Sequence, residues 1–227
     1  CAQTVADNNP ANLDALLAEY GMTRQEGLVI ENDSNYYLYG TAQTCLLPNL
    51  SSNEITAGVT DGMHVFTPVA QGIVKGDSTD DLTLTTLLST SSTAYAMQDY
   101  AEATTAEQGA NDPNGPFNIA VAASNSTTGA KVVWVNCANL LNSKGIEYVA
   151  REYASLLIGG NAQLLTSTMN WMIGEENGVV IDSKSMSAET LTVPAKATML
   201  LGLLFTIVVP LAFIVAGIAI TLVRRRR

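Results

Sequence analysis

The longest apolar stretch of the chain covers residues 197–223 and contains no charged side chain. As an α-helix it would be about 40 Å long, which exceeds the ~30 Å hydrocarbon core of a bilayer. A helix in the core of a soluble protein is the alternative, but such helices rarely stay apolar on every face for this length. The pattern predicts one transmembrane helix over residues 196–223, either tilted or with its first turn in the interface.

The charges beside this span predict its orientation. Lys196 precedes the span, and four arginines, Arg224, Arg225, Arg226 and Arg227, follow it directly. Because basic residues next to a span are retained on the cytoplasmic side, residues 224–227 are predicted to be a cytoplasmic tail. Residues 1–195 are then expected on the outer side of the membrane.

Two features inside the span bear on its shape and contacts. Pro210 lies near its middle and has no backbone N–H to donate, so the helix is expected to loosen or kink there. Ala212 and Ala216 are four residues apart and share one helix face, which would let another membrane helix approach closely.

Residues 1–195 alternate between helix-like and strand-like patterns. Asn9 and Pro10 favour the start of a helix that continues to Tyr20 and ends at Gly21, and a short apolar strand at residues 27–31 follows directly. Such alternation predicts an α/β domain, three-layered and Rossmann-like. Further predicted elements are strands at 64–68, 82–88 and 179–181, a hairpin of 117–123 with 131–135, a solvated loop at 101–116, and helices at 146–158 and 162–173, the last capped by Asn161.

The opening of this domain is unusual, because its first helix has no preceding strand. There is also no initiator methionine and no signal peptide, although an outside domain must be exported. We therefore expect the sequence to be the C-terminal part of a longer chain, with the N-terminal part of the α/β domain missing.

The net charge of the chain before the arginine cluster makes some classes of binding partner unfavourable. Seven basic and 21 acidic residues precede Arg224, so the outer part carries a net charge of −14. Such a surface repels nucleic acid and anionic headgroups. A solvated acidic exterior is the simple interpretation, and a cation-attracting face is the alternative.

The three cysteines, Cys1, Cys45 and Cys137, are too few and too scattered for a disulfide framework. One Cys45–Cys137 bridge remains open outside the membrane. Cys1 would suit a lipid-bearing first residue, but no upstream lipobox supports that interpretation.

Motifs for familiar chemistry are missing from the sequence. It contains no GxxxxGK[ST], GxGxxG, CxxC or HExxH pattern, so it predicts no ATPase, no cofactor and no metal site. A catalytic pair would have to combine Cys137, which follows an apolar strand, with His64, the single histidine. The VNCAN context of Cys137 lacks the small residues of a nucleophile elbow, so structural roles are the default for both.

The order of several segments resembles a known family. NLDALLAEYG (12–21), GLVIEN (27–32), HVFTPVAQGI (64–73) and NAQLLTSTMNWMIGEENGVVIDSKS (161–185) precede one span that ends in arginines. This order is similar to the gliding-motility-associated GldG type of auxiliary subunit in bacterial ABC-2-type transporters. The positions that carry the resemblance best are Asn161, Asn170, Trp171, Gly174, Glu175 and Lys184.

The resemblance implies a longer protein with an N-terminal membrane helix and a fold similar to class I glutamine amidotransferases. It implies no established catalytic residue. Members often have acidic residues after the strand equivalent to KVVWV, where this chain has Asn136 and Asn139. That difference weakens the case for an ion or polar-ligand site at this sheet edge.

The sequence thus predicts a non-catalytic, membrane-anchored accessory subunit of an ABC-2-type transport system. Its partners would be a permease, a separate ATPase subunit and the lipid bilayer, with no nucleic acid. Its outer domain would bind substrate or another protein. The alternatives are a membrane-tethered, amidotransferase-like hydrolase that uses Cys137, and a free-standing cell-surface binding module.

Overall fold

The structure is a computed structural model that describes residues 11–38, 42–59, 63–140, 154–174 and 195–225. Its helices are α1 (Ala11–Glu19), α2 (Ala154–Ile173), α3 (Ala195–Leu203) and α4 (Val209–Arg225). Its strands are β1 (Met22–Arg24), β2 (Leu28–Ile30), β3 (Cys45–Leu46), β4 (Asn49–Leu50), β5 (Thr67–Pro68), β6 (Ile73–Lys75), β7 (Leu82–Ser89), β8 (Tyr95–Met97), β9 (Asn118–Asn125) and β10 (Lys131–Val135).

The main sheet has six strands. Five follow the order β1-β6-β9-β7-β4, and β10 pairs with β9. Two smaller sheets are made of β2 with β8 and of β3 with β5. Each of these described pairings is antiparallel.

The centre of the main sheet agrees with the sequence prediction. β9 and β10 form the predicted antiparallel hairpin, with Val133 opposite Ala122. β7 lies where a strand was predicted, and its register with β9 shifts between Thr86 and Leu88. That irregularity puts both Leu87 and Leu88 in the core, since a bulge interrupts the alternation of faces along a strand.

Both faces of β9 are buried, which explains its unbroken apolar sequence. Val121 and Ala123 join a cluster that contains Leu17 of α1, Met22 and Trp134. The other face belongs to a larger cluster, which includes Leu164 of α2 among its buried residues. The apolar run FNIAVAA therefore reflects burial on two sides.

The α/β class is confirmed at this coarse level, because helices and sheets share one core. A Rossmann-like, three-layer arrangement is not confirmed. That fold rests on parallel strands joined by crossover helices, whereas the described strands pair antiparallel. The boundary at residue 195 between an outer domain and an anchor stays a prediction.

The first helix ends as predicted. Gly21 follows α1 with a φ of +69°, and its N–H donates to the carbonyl of Ala18 at 2.9 Å. This left-handed position is favourable for glycine, which lacks a Cβ. The loop over residues 101–116 is exposed over most of its length, also as predicted.

Two sequence predictions were wrong in detail. Residues 162–173 do not form a separate helix capped by Asn161, because α2 runs without a break from Ala154 to Ile173. Pro68 does not end a strand that starts at residue 64: β5 is Thr67–Pro68, and Pro68 pairs with Cys45. Residues 146–153 of the helix predicted over 146–158 lie outside the described residues, as do the strand predicted at 179–181 and Cys1, Glu175, Lys184, Arg226 and Arg227.

The apolar C-terminal stretch forms a helix with a local change of pitch. A π turn at Leu204–Val208 joins α3 to α4, and the N–H of Val209 donates to the carbonyl of Leu204. Pro210 follows directly, and its ring would clash with the carbonyl four residues earlier in a regular α-helix. The wider turn relieves this clash, so the predicted loosening near Pro210 takes the form of a π bulge.

Among the described residues, one helix is long and apolar enough to cross a membrane. It covers Met199–Ile218 with a mean hydropathy of 2.7, and none of it is buried. Ala212 and Ala216 both lie in α4, beyond the π turn, so their spacing still puts them on one helix face. Arg224 and Arg225 form the exposed last turn of α4.

Candidate functional site

Cys137 is fully buried at the end of the β9–β10 hairpin. Its Sγ donates to the carbonyl of Pro68 at 3.2 Å. Burial raises the pKa of the Cys137 thiol to about 12, against an ordinary value of 9.0. The thiol is therefore protonated at neutral pH, whereas a nucleophilic cysteine needs a thiolate.

His64 and Cys45 give this thiol no visible activation. His64 is exposed, and its backbone carbonyl packs against Gly160 of α2. Cys45 and Cys137 are both buried, and the disulfide left open by the sequence is not formed. No group of three or more His, Cys, Asp or Glu within the described ranges could hold a metal ion.

The two asparagines after β10 anchor the segment that follows β5. Asn136 donates from Nδ2 to the carbonyl of Gly72 at 3.1 Å, and Asn139 donates to the carbonyl of Pro68 at 3.4 Å. Between these anchors Val69 has a φ of +57°, a strained value for a β-branched residue. Asn136 and Asn139 thus stabilise an unusual backbone path, which is a structural role for both.

Asn161 joins three parts of the domain from the interior of α2. Its Oδ1 accepts from the N–H of Phe66 at 2.8 Å, and its Nδ2 donates to the carbonyls of Phe66 at 2.9 Å and Leu140 at 3.1 Å. The side chain is buried. The Asn161 amide thus satisfies backbone groups of the segment before β5, as a neighbouring strand would in a sheet. This role explains why an asparagine lies in the middle of α2.

Trp171 fixes the C-terminal end of α2. Its Nε1 donates to Glu54 Oε1 at 2.7 Å, while Lys131 Nζ donates to its carbonyl at 2.7 Å and lies 4.7 Å from its ring centroid. A cation near the last helical carbonyls is favourable there. Gly174 follows with a φ of +77° and ends the helix, and Asn170 is half-buried beside it. Trp171 and Gly174 thus have structural roles at the helix end.

A cavity of about 170 Å³ opens on the opposite side of the sheet, beside α1 and β1. Apolar side chains form its inner part, and charged ones lie around them. The residues that line it are Asp14, Leu17, Met22, Thr23, Arg24, Glu26 and Trp134.

Arg24 is the central polar group of this cavity. Its side chain is only 8% exposed, and Nη2 lies 2.8 Å from Asp14 Oδ1. Nη1 donates to Gln71 Oε1 at 3.2 Å. Both ends of the guanidinium are therefore held in place, and the Gln71 backbone N–H in turn donates to the carbonyl of Asn136 at 3.0 Å.

Two donors in this cavity lack an acceptor. Within the described part of the chain, Arg24 Nε and Trp134 Nε1 are buried and have no hydrogen-bond partner. A buried donor without a partner costs about 1–3 kcal/mol, so such groups are rare without a reason. Both residues line this cavity, which is a candidate ligand site among the described residues, but neither donor atom is exposed to it.

Sequence reasoning missed both residues. Trp134 lies in the apolar run 131–135, which was predicted only as a strand. Arg24 is one of only two arginines before residue 224, the other being Arg151. An isolated arginine in an acidic domain was the available signal, but only the fold brings it to the same cavity as Trp134, which is more than 100 residues away in sequence.

No family model and no curated protein matches the sequence. Among solved structures, the chain is similar to one described as the "mmIFT52 N-terminal domain", with 15% sequence identity and a TM-score of 0.45. The match covers 74% of this chain and 59% of that one. These comparisons assign the chain to no family.

Proposed function

We propose that this chain is a non-catalytic, membrane-anchored accessory subunit of an ABC-2-type transport system. Its single helix would lie in the bacterial cytoplasmic membrane, with the C-terminus in the cytoplasm. The outer domain would hold a ligand or a protein partner, while a permease and a separate ATPase subunit would carry out transport.

The observation that carries this proposal is the apolar helix Met199–Ile218. Its side chains are exposed on all sides rather than packed in a core. Exposure of so many large apolar groups to water is unfavourable, which favours a lipid or protein environment for this helix. Arg224 and Arg225 at its end favour the cytoplasmic side for the C-terminus.

The ABC-2 partner rests on the resemblance in segment order, which includes Asn161, Asn170, Trp171 and Gly174. The same resemblance carries the finer fold proposal, a Rossmann-like domain similar to class I glutamine amidotransferases. In that proposal, parallel strands would precede α1 in the full reading frame. An experimental structure of the longer chain without such strands would contradict it.

The hydrolase alternative gains no support from the geometry of Cys137, because its thiol is buried and protonated. A free-standing binding module remains a second candidate, since the Arg24 cavity does not require a transporter. The presence or absence of a permease partner separates these two functions.

The test is a crosslinked pull-down of the full-length protein from native membranes. Recovery of an ABC-2-type permease is expected, and Ala216→Leu should weaken it because the larger side chain prevents another helix from approaching the small-residue face of α4 closely. Ile214→Leu, which points elsewhere around the helix, is the matched control and should have no effect. Recovery without any such permease would contradict the accessory role.

A further inference from the structure

The π turn between α3 and α4 leaves one backbone acceptor without a donor. The N–H of Val209 donates to the carbonyl of Leu204, five residues earlier. The next donor in this register would be the N–H of residue 210, but residue 210 is a proline and has none. The Phe205 carbonyl therefore lacks both of the N–H groups that could bond to it along the helix.

Thr206 adds an unpaired donor beside this acceptor. Its side chain is exposed, and its hydroxyl has no hydrogen-bond partner among the described residues. Threonine in a helix often donates to the carbonyl four residues earlier, and this one does not. Because the Phe205 carbonyl and the Thr206 nitrogen belong to one peptide unit, covalent geometry keeps the carbonyl oxygen and the hydroxyl within ~5 Å of each other.

The depth of these groups makes their lack of partners costly. Phe205 and Thr206 lie near the middle of Met199–Ile218, where the hydrocarbon core contains no water to bond to them. A donor and an acceptor at this depth therefore favour a partner on another helix. This argument rests on the membrane placement in the proposed function, but it does not depend on the permease.

We propose that the helix formed by α3 and α4 pairs with the same helix of a second copy of this chain. Both copies insert in one orientation, so a twofold axis along the membrane normal brings their π turns together at equal depth. The Thr206 hydroxyl of each copy would donate to the Phe205 carbonyl of the other. One site supplies both donor and acceptor, and this self-complementarity favours a second copy over an unrelated helix.

The size of the neighbouring side chains permits such an approach. Gly202 precedes Thr206 by four residues, and a Cβ added at Gly202 would meet nothing within 4 Å. Small residues at this spacing let two helix backbones come close. Ala212 and Ala216 follow Thr206 by six and ten residues and therefore lie on another face, since a shared face needs spacings of about three, four or seven. The small-residue face proposed for the permease thus stays available in the pair.

Cysteine crosslinking of the full-length protein in native membranes tests the pairing. In a Cys1→Ser background, Met199→Cys lies on the face of α3 that also carries Gly202. Leu201→Cys is the matched control, because two residues along a helix lead to its opposite side. Copper–phenanthroline should crosslink Met199→Cys into a homodimer and leave Leu201→Cys monomeric. Equal crosslinking at both positions, or no homodimer at Met199→Cys, would overturn the proposal.

Substitutions in the π turn test the hydrogen bonds themselves. Thr206→Val removes the hydroxyl but keeps the shape, and Pro210→Ala gives the helix the missing N–H. Each should weaken self-association about tenfold, measured as the monomer–dimer Kd by Förster transfer between labelled full-length chains in lipid vesicles. Thr206→Ser keeps the hydroxyl and should stay within about threefold of wild type. A wild-type Kd in both Thr206→Val and Pro210→Ala would overturn the assignment.

This inference and the proposed function fail in different ways. A protein that is absent from the membrane fraction would contradict both. A membrane-bound chain that recovers the permease but stays monomeric would contradict this inference alone. A homodimer that recovers no permease would contradict the transport role alone.

Discussion

At the scale of single residues, buried amides organise the domain where no strand pairing is available. Asn161 from α2 and Asn136 after β10 each bond to backbone groups of the chain between residues 66 and 72. Backbone groups buried without a partner are costly, so each amide replaces a missing ladder partner. These residues therefore belong to the stability of the fold.

Asn161→Ala is expected to destabilise the domain by about 2–4 kcal/mol, because it leaves two carbonyls and one N–H buried without their partner. Chemical denaturation of the full chain in detergent measures this change. Asn170→Ala is the matched control: Asn170 is half-buried on the same helix, and its change should stay within about 0.5 kcal/mol. Equal effects of the two substitutions would refute the bridging role of Asn161.

The Cys137 thiol predicts a specific dependence of stability on pH. The unfolded thiol ionises above pH 9.0, while the folded thiol keeps its proton up to about pH 12. The unfolded state therefore binds fewer protons in this window, and stability falls as pH rises, by up to ~1.4 kcal/mol per pH unit.

Melting curves of wild type and Cys137→Ala between pH 8 and pH 11 test this expectation. The substitution itself should cost about 1 kcal/mol through lost packing. The difference in stability between wild type and Cys137→Ala should then shrink steadily as pH rises above 9.0, since only wild type has this thiol. Parallel curves for the two proteins would show that the thiol is not buried as described.

At the scale of elements, local patterns predicted the first helix, the apolar C-terminal helix and the longer strands, but they missed the short strands β1, β3, β4, β6 and β8. β7, β9 and β10 were predicted because apolar runs and turn residues are encoded within a few positions. The unbroken α2 was missed because Gly159 and Gly160 favour a helix end when only propensity is considered. Tertiary contact explains this exception, since Gly160 allows α2 to approach the backbone of His64.

Gly160→Ala tests this close approach. Its added Cβ would lie 2.3 Å from the carbonyl oxygen of His64, a backbone atom that cannot rotate away. Helix propensity alone would favour alanine by about 1 kcal/mol, so a net loss of ~1–3 kcal/mol in denaturation experiments would report the clash.

Gly58→Ala provides the comparison, because its Cβ would meet the hydroxyl of Ser167 at 1.9 Å. That side chain can change rotamer, so a smaller loss is expected than for Gly160→Ala. A gain in stability for Gly160→Ala would show that α2 does not pack closely against His64.

At the scale of the whole molecule, composition predicted the apolar C-terminal helix but not the cavity beside Arg24. The apolar span and the arginines that follow it are contiguous in sequence, so no tertiary information is needed to find them. The cavity instead combines β1 with β10, and the sequence contains no motif for such a pairing. The Rossmann-like prediction extended a local helix-to-strand step to a whole sheet, whose described strands pair antiparallel.

The distribution of charge agrees with an anchored outer domain. Acidic residues are confined to the part before the span, and four of the 11 basic residues follow it. The acidic part would be repelled by anionic headgroups, while the arginines would be attracted to them. Negative charge is thus concentrated before the span, and a positive cluster follows it.

The central claim is this topology, and cysteine labelling in intact cells tests it most directly. Cys45 and Cys137 are buried, so in a Cys1→Ser background a membrane-impermeant maleimide reports only on an introduced cysteine. Ser92→Cys, at an exposed position before the span, should be labelled without lysis. Arg226→Cys should be labelled only after the membrane is permeabilised. Labelling of Arg226→Cys in intact cells, with Ser92→Cys protected, would contradict the account.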